Sequence, residues 1–390
     1  MRFLCPCLLA LLALVPTSRA AAGETKPGTS VVFIEEVHAT SDALDSVVVL
    51  PDIFRRTSAS IEHVSAIEGG VLTLGAGWNE TRFSDLDFED DRALSLELKA
   101  DMQLGDRVEF RGALGYGWSD EGDDFPIGDL VLGMRTTTHT LSAGAEIGVD
   151  LGRGFSLIAA AAQRRSFAGD THFEEDILPP LRLEADKSMP TLALGLRHSH
   201  GERTFGLSAR YSAVDLRQGD ALTEAYSARL LALMAELALK RESGVALGLS
   251  FGVEALRGEA GIVEQVRPAL RATVQLPLGP RVTFAASLAA GFDLDDTDDP
   301  LGSWRERGEI ELAIALREAL MLGAGIFAER TKNLVLDETE HAHGAYAEVE
   351  YRVSDTVSVL LRGDWEQIRS PLFRPAKRRQ SAFLRIKASI

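Results

Sequence analysis

The chain has 390 residues, of which 58 are acidic and 41 are lysine or arginine, so its formal net charge is −17. This acidity argues against non-specific binding to nucleic acid, which depends on cationic side chains that neutralise phosphates. The length allows one large domain or two ordinary ones.

Residues 1–22 have the layout of a secretory signal peptide. A short charged start precedes the apolar run Leu8–Val15, and small residues follow at Ser18–Ala22. The apolar run is too short to span a bilayer as a helix. We therefore expect export of the chain, with cleavage after Ala20 or Ala22.

Both cysteines of the chain, Cys5 and Cys7, lie inside this leader. They precede the apolar run, which is not the order found at a lipoprotein cleavage site. The mature chain would then contain neither a disulfide nor a thiolate metal site. Export without cysteines fits a bacterial envelope protein better than a small secreted domain, which usually needs disulfides.

Residues 23–43 are polar and mixed, and we interpret them as a periplasmic N-terminal extension. They include a short apolar and acidic patch, Val31–Glu36. A patch of this kind is also found in docking boxes for an energy-transducing partner. Receptors with such a box need a plug domain and a wider barrel, and this chain has no room for both.

From residue 57 onward a unit of strand, tight turn, strand and longer polar loop repeats along the chain. Most of the tight turns have the glycine or aspartate chemistry of short hairpins, and they lie at Glu68–Gly70, Gly105–Asp106, Gly152–Gly154, Gly201–Glu202, Glu242–Gly244, Leu278–Arg281, Arg317–Ala319 and Ser354–Thr356. The longer connections are Ser84–Arg92, Ser119–Thr138, Ala168–Lys187, Asp215–Ala225, Arg257–Gln265, Asp293–Ser303, Thr331–Ala342 and Ser370–Gln380. Short turns that alternate with long loops are typical of outer-membrane barrels.

Within the strands, apolar and polar side chains alternate with a period of two. Segments of about ten residues with this period match the span of a tilted transmembrane strand. A soluble propeller or β-helix also alternates, but glycine- and alanine-rich faces with rows of charge are less expected there. Residues Tyr226–Arg241 also show helical spacing, and we interpret them as a strand from their context.

The tight turns account for sixteen strands, and Gln380–Ile390 provides a seventeenth. A barrel with both ends in the periplasm needs an even number, and Asp45–Leu50 is the candidate for the missing first strand. The sequence therefore predicts an all-β protein: one transmembrane, antiparallel, up-and-down barrel of about 18 strands over residues 44–390, with about 16 as the alternative. Either barrel leaves an aqueous lumen.

The last strand keeps its alternation to the final residue, with Leu384, Ile386 and Ile390 on one apolar face. Together with the hairpin rhythm, this strand resembles those of bacterial outer-membrane β-barrel proteins, the porin-like ones in particular. The resemblance covers residues 45–390. It implies a location in the bacterial outer membrane, contact with lipid and lipopolysaccharide, and recognition of the last strand by the barrel-assembly machinery. In that superfamily the final residue is usually aromatic, and here it is Ile390.

The polar faces of the strands have charges of both signs. In a lumen, opposed rows of charge would orient and filter small polar solutes; alternatively, these charges only pair with one another and solvate the wall. The candidates for lining the pore are Arg107, Arg111, Arg197, Arg210, Glu254, Arg267, Arg271, Glu309, Glu311, Glu348, Glu350, Arg362, Arg385 and Lys387.

The connection Ser119–Thr138 is too apolar for a freely solvated surface loop. In porins the third outer loop folds into the barrel, and the resemblance implies a similar constriction here. The residues that would form it are Phe125, Asp129, Leu130 and Met134. The alternative is a hairpin that extends the strands above the membrane.

The outer loops are acidic, and the run Asp293–Asp299 has carboxylates of the kind that Ca²⁺ prefers. It lacks the glycine and distal glutamate of an EF-hand loop, so a solvated charge run is favoured and no metal site is predicted. Paired histidines such as His198 and His200 have no assignable third ligand. The sequence predicts no enzyme and no cofactor.

Two classes of function remain. The first is a channel for passive or facilitated diffusion of small polar solutes. The second is a non-conducting structural, adhesive or assembly-factor barrel that acts through its loops. Conductance of the purified protein in a planar bilayer separates them.

Overall fold

The computed structural model describes residues 27–43, 50–127, 130–174, 178–217, 226–258, 264–294, 302–334, 337–371 and 376–390. The predicted signal peptide lies outside these residues. The described chain forms eighteen strands: β1 Gly28–Thr40, β2 Asp52–Ile67, β3 Gly70–Phe83, β4 Asp91–Gln103, β5 Val108–Ile127, β6 Leu130–Gly152, β7 Phe155–Phe173, β8 Asp186–His200, β9 Arg203–Arg217, β10 Tyr226–Lys240, β11 Ala246–Gly258, β12 Glu264–Pro277, β13 Val282–Asp293, β14 Ser303–Arg317, β15 Leu320–Asn333, β16 Thr339–Arg352, β17 Val357–Arg369 and β18 Lys377–Ser389. A single 3₁₀ turn, Asp87–Glu89, lies between β3 and β4. No helix among the described residues has the length and apolar character needed to cross a membrane.

The eighteen strands form one closed sheet in which each strand pairs antiparallel with its neighbours in the chain. Strand β1 pairs with β2 on one side and with β18 on the other, and this second ladder closes the barrel. At the seam, the amide of Val31 donates to the carbonyl of Ile390 over 2.8 Å. The predicted fold class and the count of eighteen strands are confirmed.

The outward surface of the barrel is apolar. Leu207 is 64% exposed and Leu114 is 57% exposed, and the outward positions of neighbouring strands have similar side chains. In water such a continuous apolar band would be strongly unfavourable, whereas lipid accommodates it and the closed sheet satisfies the backbone polar groups. The predicted lipid-facing set of β18 belongs to this band, since Leu384 and Ile386 are both exposed.

All eight predicted tight turns join the strands that the sequence indicated, and they lie at one end of the barrel, the short-turn end. In the β6–β7 turn, Gly152 and Gly154 have φ values of +83° and +80°, a region that favours glycine. The opposite, long-loop end has the longer connections. The ambiguous segment from Tyr226 is strand β10.

The first strand differs from the prediction. Residues Gly28–Thr40, expected in a periplasmic extension, form β1 inside the sheet, and the candidate strand at Asp45–Leu50 is not needed; residues 44–49 lie outside the described chain. Glu35 interrupts the outward apolar set of β1, so the alternation was hidden. An ion pair of 2.9 Å between Glu35 and Arg55 of β2 compensates this charge.

The predicted constriction loop also differs. Ser119–Ile127 and Leu130–Thr138 form a continuous ladder that extends β5 and β6 at the long-loop end. The β7 strand supports one flank of this extension, where Thr136 lies opposite Thr171 and their hydroxyls are 2.8 Å apart. The segment is therefore a hairpin that continues the wall, which corrects the expectation of an inward-folded loop.

Candidate functional site: the lumen wall

The predicted pore-lining residues lie on the face opposite the apolar outward band. In β14, for example, Ile310 faces outward, whereas Glu309 and Glu311 face the lumen. Arg107 is an exception, because β5 begins at Val108 and Arg107 lies in the β4–β5 turn. The other predicted lining residues keep the inward register of their strands: Arg111, Arg197, Arg210, Glu254, Arg267, Arg271, Glu348, Glu350, Arg362, Arg385 and Lys387.

Much of this luminal charge is paired within the wall. Arg111 of β5 lies 3.0 Å from Glu146 of β6. Arg385 of β18 and Glu36 of β1 are 2.5 Å apart across the closing seam. Such pairs lower the free charge that a passing solute would meet, and they hold neighbouring strands in register.

The sector from β14 to β17 is rich in acid. The hydroxyl of Tyr346 donates to Glu311 over 2.5 Å. The Arg362 guanidinium lies 3.9 Å from the centre of the Tyr346 ring, and it also pairs with Asp364 at 2.8 Å and Glu348 at 3.5 Å. One arginine, Arg362, therefore pairs with two carboxylates, and Glu311 has a neutral hydroxyl as its partner. This group of side chains has an excess of negative charge.

The sector from β9 to β12 has the opposite balance. Arg210, Arg267 and Arg271 face the lumen around the carboxylate of Glu254, which lies directly opposite Arg267 in the β11–β12 ladder. The other luminal carboxylate of this sector, Glu236 of β10, lies 3.6 Å from Arg197 of β8. Within the described part of the chain, none of these three arginines has a carboxylate within 4.0 Å. Ala232 of β10 lies between Arg210 and Glu254 in the row of paired residues. We call this group the arginine sector.

The long-loop end of β13 folds into the lumen beside the arginine sector. The β12–β13 ladder stops at Leu270 and Ala290, and beyond it β13 pairs only with β14. The Phe292 amide donates over 2.7 Å to Glu254 of β11, which is two strands away. Because the Glu254 side chain points into the lumen, β13 can reach it only by passing on the lumen side of β12.

This folding creates the main buried apolar cluster of the described chain. The Phe292 and Trp304 rings pack edge to face at 4.9 Å. The cluster also contains Val214, Ala228, Leu230, Leu256, Leu294 and Leu334. Phe292 belongs to the same alternating set as the outward Leu288, yet it is buried, because the end of β13 turns into the lumen. We name Gly291–Leu294 with Gly302–Trp304 the inward hairpin end; residues 295–301 between them lie outside the described chain.

The Arg267 guanidinium joins the two parts of the site. It lies 5.0 Å from the centre of the Trp304 ring and 5.8 Å from that of Phe292. A cation over an aromatic face is stabilised by the ring quadrupole. The arrangement therefore places positive charge directly against the segment that narrows the lumen.

The other residues proposed for a constriction or a cation site contribute less. Asp129 lies outside the described residues, as do the side chains of Phe125 and Leu130, and Met134 pairs with Phe173 in the wall. Most of the acidic run that begins at Asp293 also lies outside them. At the long-loop end of β15, Lys332 lies 2.6 Å from Asp337 of the β15–β16 loop, and this hydrogen bond lowers the pKa of the Asp337 carboxyl.

Several luminal residues were missed by the sequence reasoning. Glu236 of β10 accepts a 2.9 Å hydrogen bond from Ser208 and lies 3.6 Å from Arg197. Arg307 bridges Glu309 and Glu329 at 3.0 and 3.2 Å. The same period of two places these residues inward, so the signal was present in the sequence. The contacts of the inward hairpin end had no such signal.

Comparison with known proteins identifies similar folds but no family. No protein-family model matches the chain, and no curated protein does. Among solved structures, the copper transporter OprC is similar at 11% identity and a TM-score of 0.58, with 93% of this chain and 80% of that chain covered. A mutant of the ferric enterobactin receptor PfeA from Pseudomonas aeruginosa is similar at 8% identity and a TM-score of 0.51, with 93% and 81% covered.

The FpvAI–pyocin S2 complex is also similar, at 11% identity and a TM-score of 0.51, and the match covers 87% of this chain and 57% of that chain. At these identities the likeness concerns the fold alone. Together with the apolar outward band, it confirms the prediction of a bacterial outer-membrane β-barrel and its location in that membrane.

Proposed function

We propose that this barrel allows small polar solutes to cross the outer membrane through its lumen, by passive or facilitated diffusion, and that the arginine sector favours anions. The observation that carries the proposal is the group of three arginines, Arg210, Arg267 and Arg271, around the Glu254 carboxylate, with no carboxylate within 4.0 Å of any of the three in the described chain. Unpaired guanidinium groups on the wall of a pore attract anions and repel cations.

Two features of the fold support passage through the lumen. A sheet of eighteen strands is wider than a barrel that side chains can fill. Among the described residues, every strand is part of the closed sheet, and no separate domain lies inside it, although the inward hairpin end enters the lumen. The names of the similar structures include a copper transporter and a ferric enterobactin receptor, so movement of small solutes is a role known for this architecture.

The test is conductance of the purified protein in a planar bilayer under a salt gradient. We expect stepwise conductance and a reversal potential that indicates anion preference at low ionic strength. Arg271→Gln should shift this potential towards cations. A protein that inserts into the bilayer without conducting would contradict the channel and favour the alternative function.

That alternative is a non-conducting structural, adhesive or assembly-factor barrel. The inward hairpin end favours it, because Phe292 and Trp304 fill part of the cross-section at the long-loop end. Removal of this obstruction distinguishes the two functions. A narrowed channel should conduct more after truncation of Trp304, whereas a barrel closed elsewhere should stay silent.

We also propose contact with lipopolysaccharide at the outward rim of β2 to β4. Arg55, Arg82 and Arg92 face outward near the long-loop end, and within the described chain their carboxylate partners at 4.0 Å or less are Glu35 and Glu80. Guanidinium groups bind phosphate strongly. Lipopolysaccharide should co-purify less with an Arg82→Gln, Arg92→Gln double variant; equal retention would contradict the contact.

Recognition of β18 by the barrel-assembly machinery remains a proposal, and it is based on the outward apolar side chains of that strand.

A further inference from the structure

The β3–β4 connection packs tightly against the extended β5–β6 hairpin, beyond the lumen wall. A Cβ atom on Gly122 would lie 1.9 Å from the carbonyl oxygen of Phe88, and one on Gly133 would lie 2.4 Å from the Phe88 Cβ. Only glycine allows this approach. The 3₁₀ turn Asp87–Glu89 is thereby held against β5.

The approach brings three carboxylates together. Glu89, Asp123 and Asp124 each place one carboxylate oxygen within 4.8 Å of the other two. Glu89 belongs to the 3₁₀ turn, and the two aspartates are consecutive in β5. At neutral pH these groups are like charges, and a cation bound between them would relieve their mutual repulsion.

Asp124 provides a second, independent observation. The residue is only 9% exposed, and its Oδ2 atom is buried and has no hydrogen-bond partner. Its own backbone amide is satisfied, since it donates over 2.9 Å to the Asp123 carboxylate. A buried carboxylate oxygen without a donor is costly, and such atoms usually indicate an ion or a water molecule.

The arginine of the same hairpin, Arg135, has its partners in the β3–β4 connection and at Asp120. Arg135 of β6 donates over 2.9 Å to the carbonyl oxygen of Asp90 and over 3.2 Å to the Asp120 carboxylate. It anchors the hairpin to the β3–β4 connection, but among the described contacts it makes none with Asp124. The Asp124 carboxylate therefore has no cationic side chain as a partner within the described chain.

We infer that Glu89, Asp123 and Asp124 form a Ca²⁺ site that ties the β3–β4 connection to the β5–β6 hairpin. The donor set consists of oxygen alone, which Ca²⁺ and Mg²⁺ prefer and Zn²⁺ does not. Ca²⁺ accepts several carboxylates in irregular geometry, whereas Mg²⁺ keeps most of its water, so three converging carboxylates favour Ca²⁺. The site goes beyond the proposed transport function and does not depend on it.

The test is Ca²⁺ binding by the full-length folded protein in detergent, measured by calorimetry and by Tb³⁺ luminescence after removal of cations with EDTA. We expect one saturable site with a dissociation constant on the order of 0.1–1 mM, the range of many extracellular Ca²⁺ modules. Mg²⁺ should displace Tb³⁺ less effectively than Ca²⁺ does.

Asp124→Asn is the decisive variant, because it keeps the size of the side chain and removes its charge. It should weaken Ca²⁺ binding by about tenfold or more, as loss of a charged ligand does. Asp87→Asn is the matched control: it removes an exposed charge from the same 3₁₀ turn outside the carboxylate group, and its affinity should equal that of the unaltered protein.

Thermal unfolding gives a second readout. Ca²⁺ should raise the melting temperature of the unaltered protein and of Asp87→Asn, but not that of Asp124→Asn. In EDTA, Asp124→Asn should be at least as stable as the unaltered protein, because a like charge is gone. The inference is overturned if the unaltered protein shows no saturable Ca²⁺ site, or if Asp124→Asn binds Ca²⁺ as tightly as the control.

Discussion

The backbone amide of Phe292 donates a 2.7 Å hydrogen bond to the carboxylate of Glu254, although β12 lies between their strands. Glu254 is 5% exposed, so the bond is shielded from water. A Cβ atom on Gly291 would lie 3.0 Å from the same carboxylate. The Glu254 carboxylate thus accepts a hydrogen bond from the inward hairpin end and also provides the counter-charge of the arginine sector.

Loss of the Glu254 carboxylate should release the inward hairpin end. In Glu254→Ala the buried Phe292 amide has no acceptor, which should cost about 1–3 kcal/mol of unfolding free energy. Conductance should rise because the lumen widens, and anion preference should increase because the counter-charge is gone. Urea unfolding in detergent and bilayer recording measure these effects.

Glu254→Gln is the matched control for that change, since it keeps an acceptor oxygen for the Phe292 amide. It should shift the reversal potential as the alanine variant does and lose much less stability. Equal destabilisation by both variants would mean that charge, and not the hydrogen bond, holds the hairpin end.

The two arginines of β12 should behave differently. Arg271 is exposed in the lumen, so Arg271→Gln should shift the ion selectivity towards cations and leave the free energy of unfolding unchanged. Arg267 also lies over the Trp304 ring at 5.0 Å, so Arg267→Gln should shift selectivity and also cost about 0.5–2 kcal/mol. Bilayer recordings and urea unfolding of the two variants, compared side by side, provide the check. If Arg271→Gln leaves the reversal potential unchanged, its charge does not act on permeating ions.

The barrel could be predicted because its dominant force is local in the sequence. Lipid on one side of each strand and water on the other impose a period of two, and hairpin turns impose glycine or aspartate. Strand β1 escaped this reasoning because Glu35 lies in its outward apolar set. The Arg55 partner that makes this acceptable is twenty residues away and belongs to another strand.

The candidate site could be predicted only in part for a related reason. The period of two placed Arg210, Arg267 and Arg271 on the inner face. It gave no indication that β13 leaves the ladder after Ala290 and enters the lumen. That path depends on contacts between strands far apart in the chain, such as that of Trp304 with Arg267, and no local pattern encodes them.

The seam of the barrel should depend on one buried ion pair at the long-loop end. Lys377 at the start of β18 lies 2.8 Å from Asp42, and their side chains are 4% and 0% exposed. Asp42→Asn removes the charge that lies 2.8 Å from the buried Lys377 ammonium, which should cost about 3–5 kcal/mol. Urea unfolding in detergent measures the loss.

An exposed pair at the short-turn end is the control for this prediction. Glu202 and Arg241 lie 3.7 Å apart with about half of each side chain exposed. Glu202→Gln should change the unfolding free energy by less than about 1 kcal/mol, the usual range for surface pairs. Similar losses in the two variants would show that the Asp42 pair has no special role in closing the seam.

The outward face of β18 should tolerate no charge near the middle of the membrane. Leu384 is 43% exposed and lies between Val37 of β1 and Leu361 of β17, both outward and apolar. Leu384→Lys would place an ammonium in lipid, at a cost of about 2–4 kcal/mol near the midplane. Outer-membrane levels of the protein and its heat-modifiable fraction on gels should fall sharply.

Ser381→Lys is the control, because it adds the same charge to the same strand on the luminal face, opposite Asp364. It should leave the outer-membrane level and the heat-modifiable fraction unchanged. A reversed result, with Ser381→Lys the more damaging, would mean that the two faces of β18 have been assigned the wrong way round.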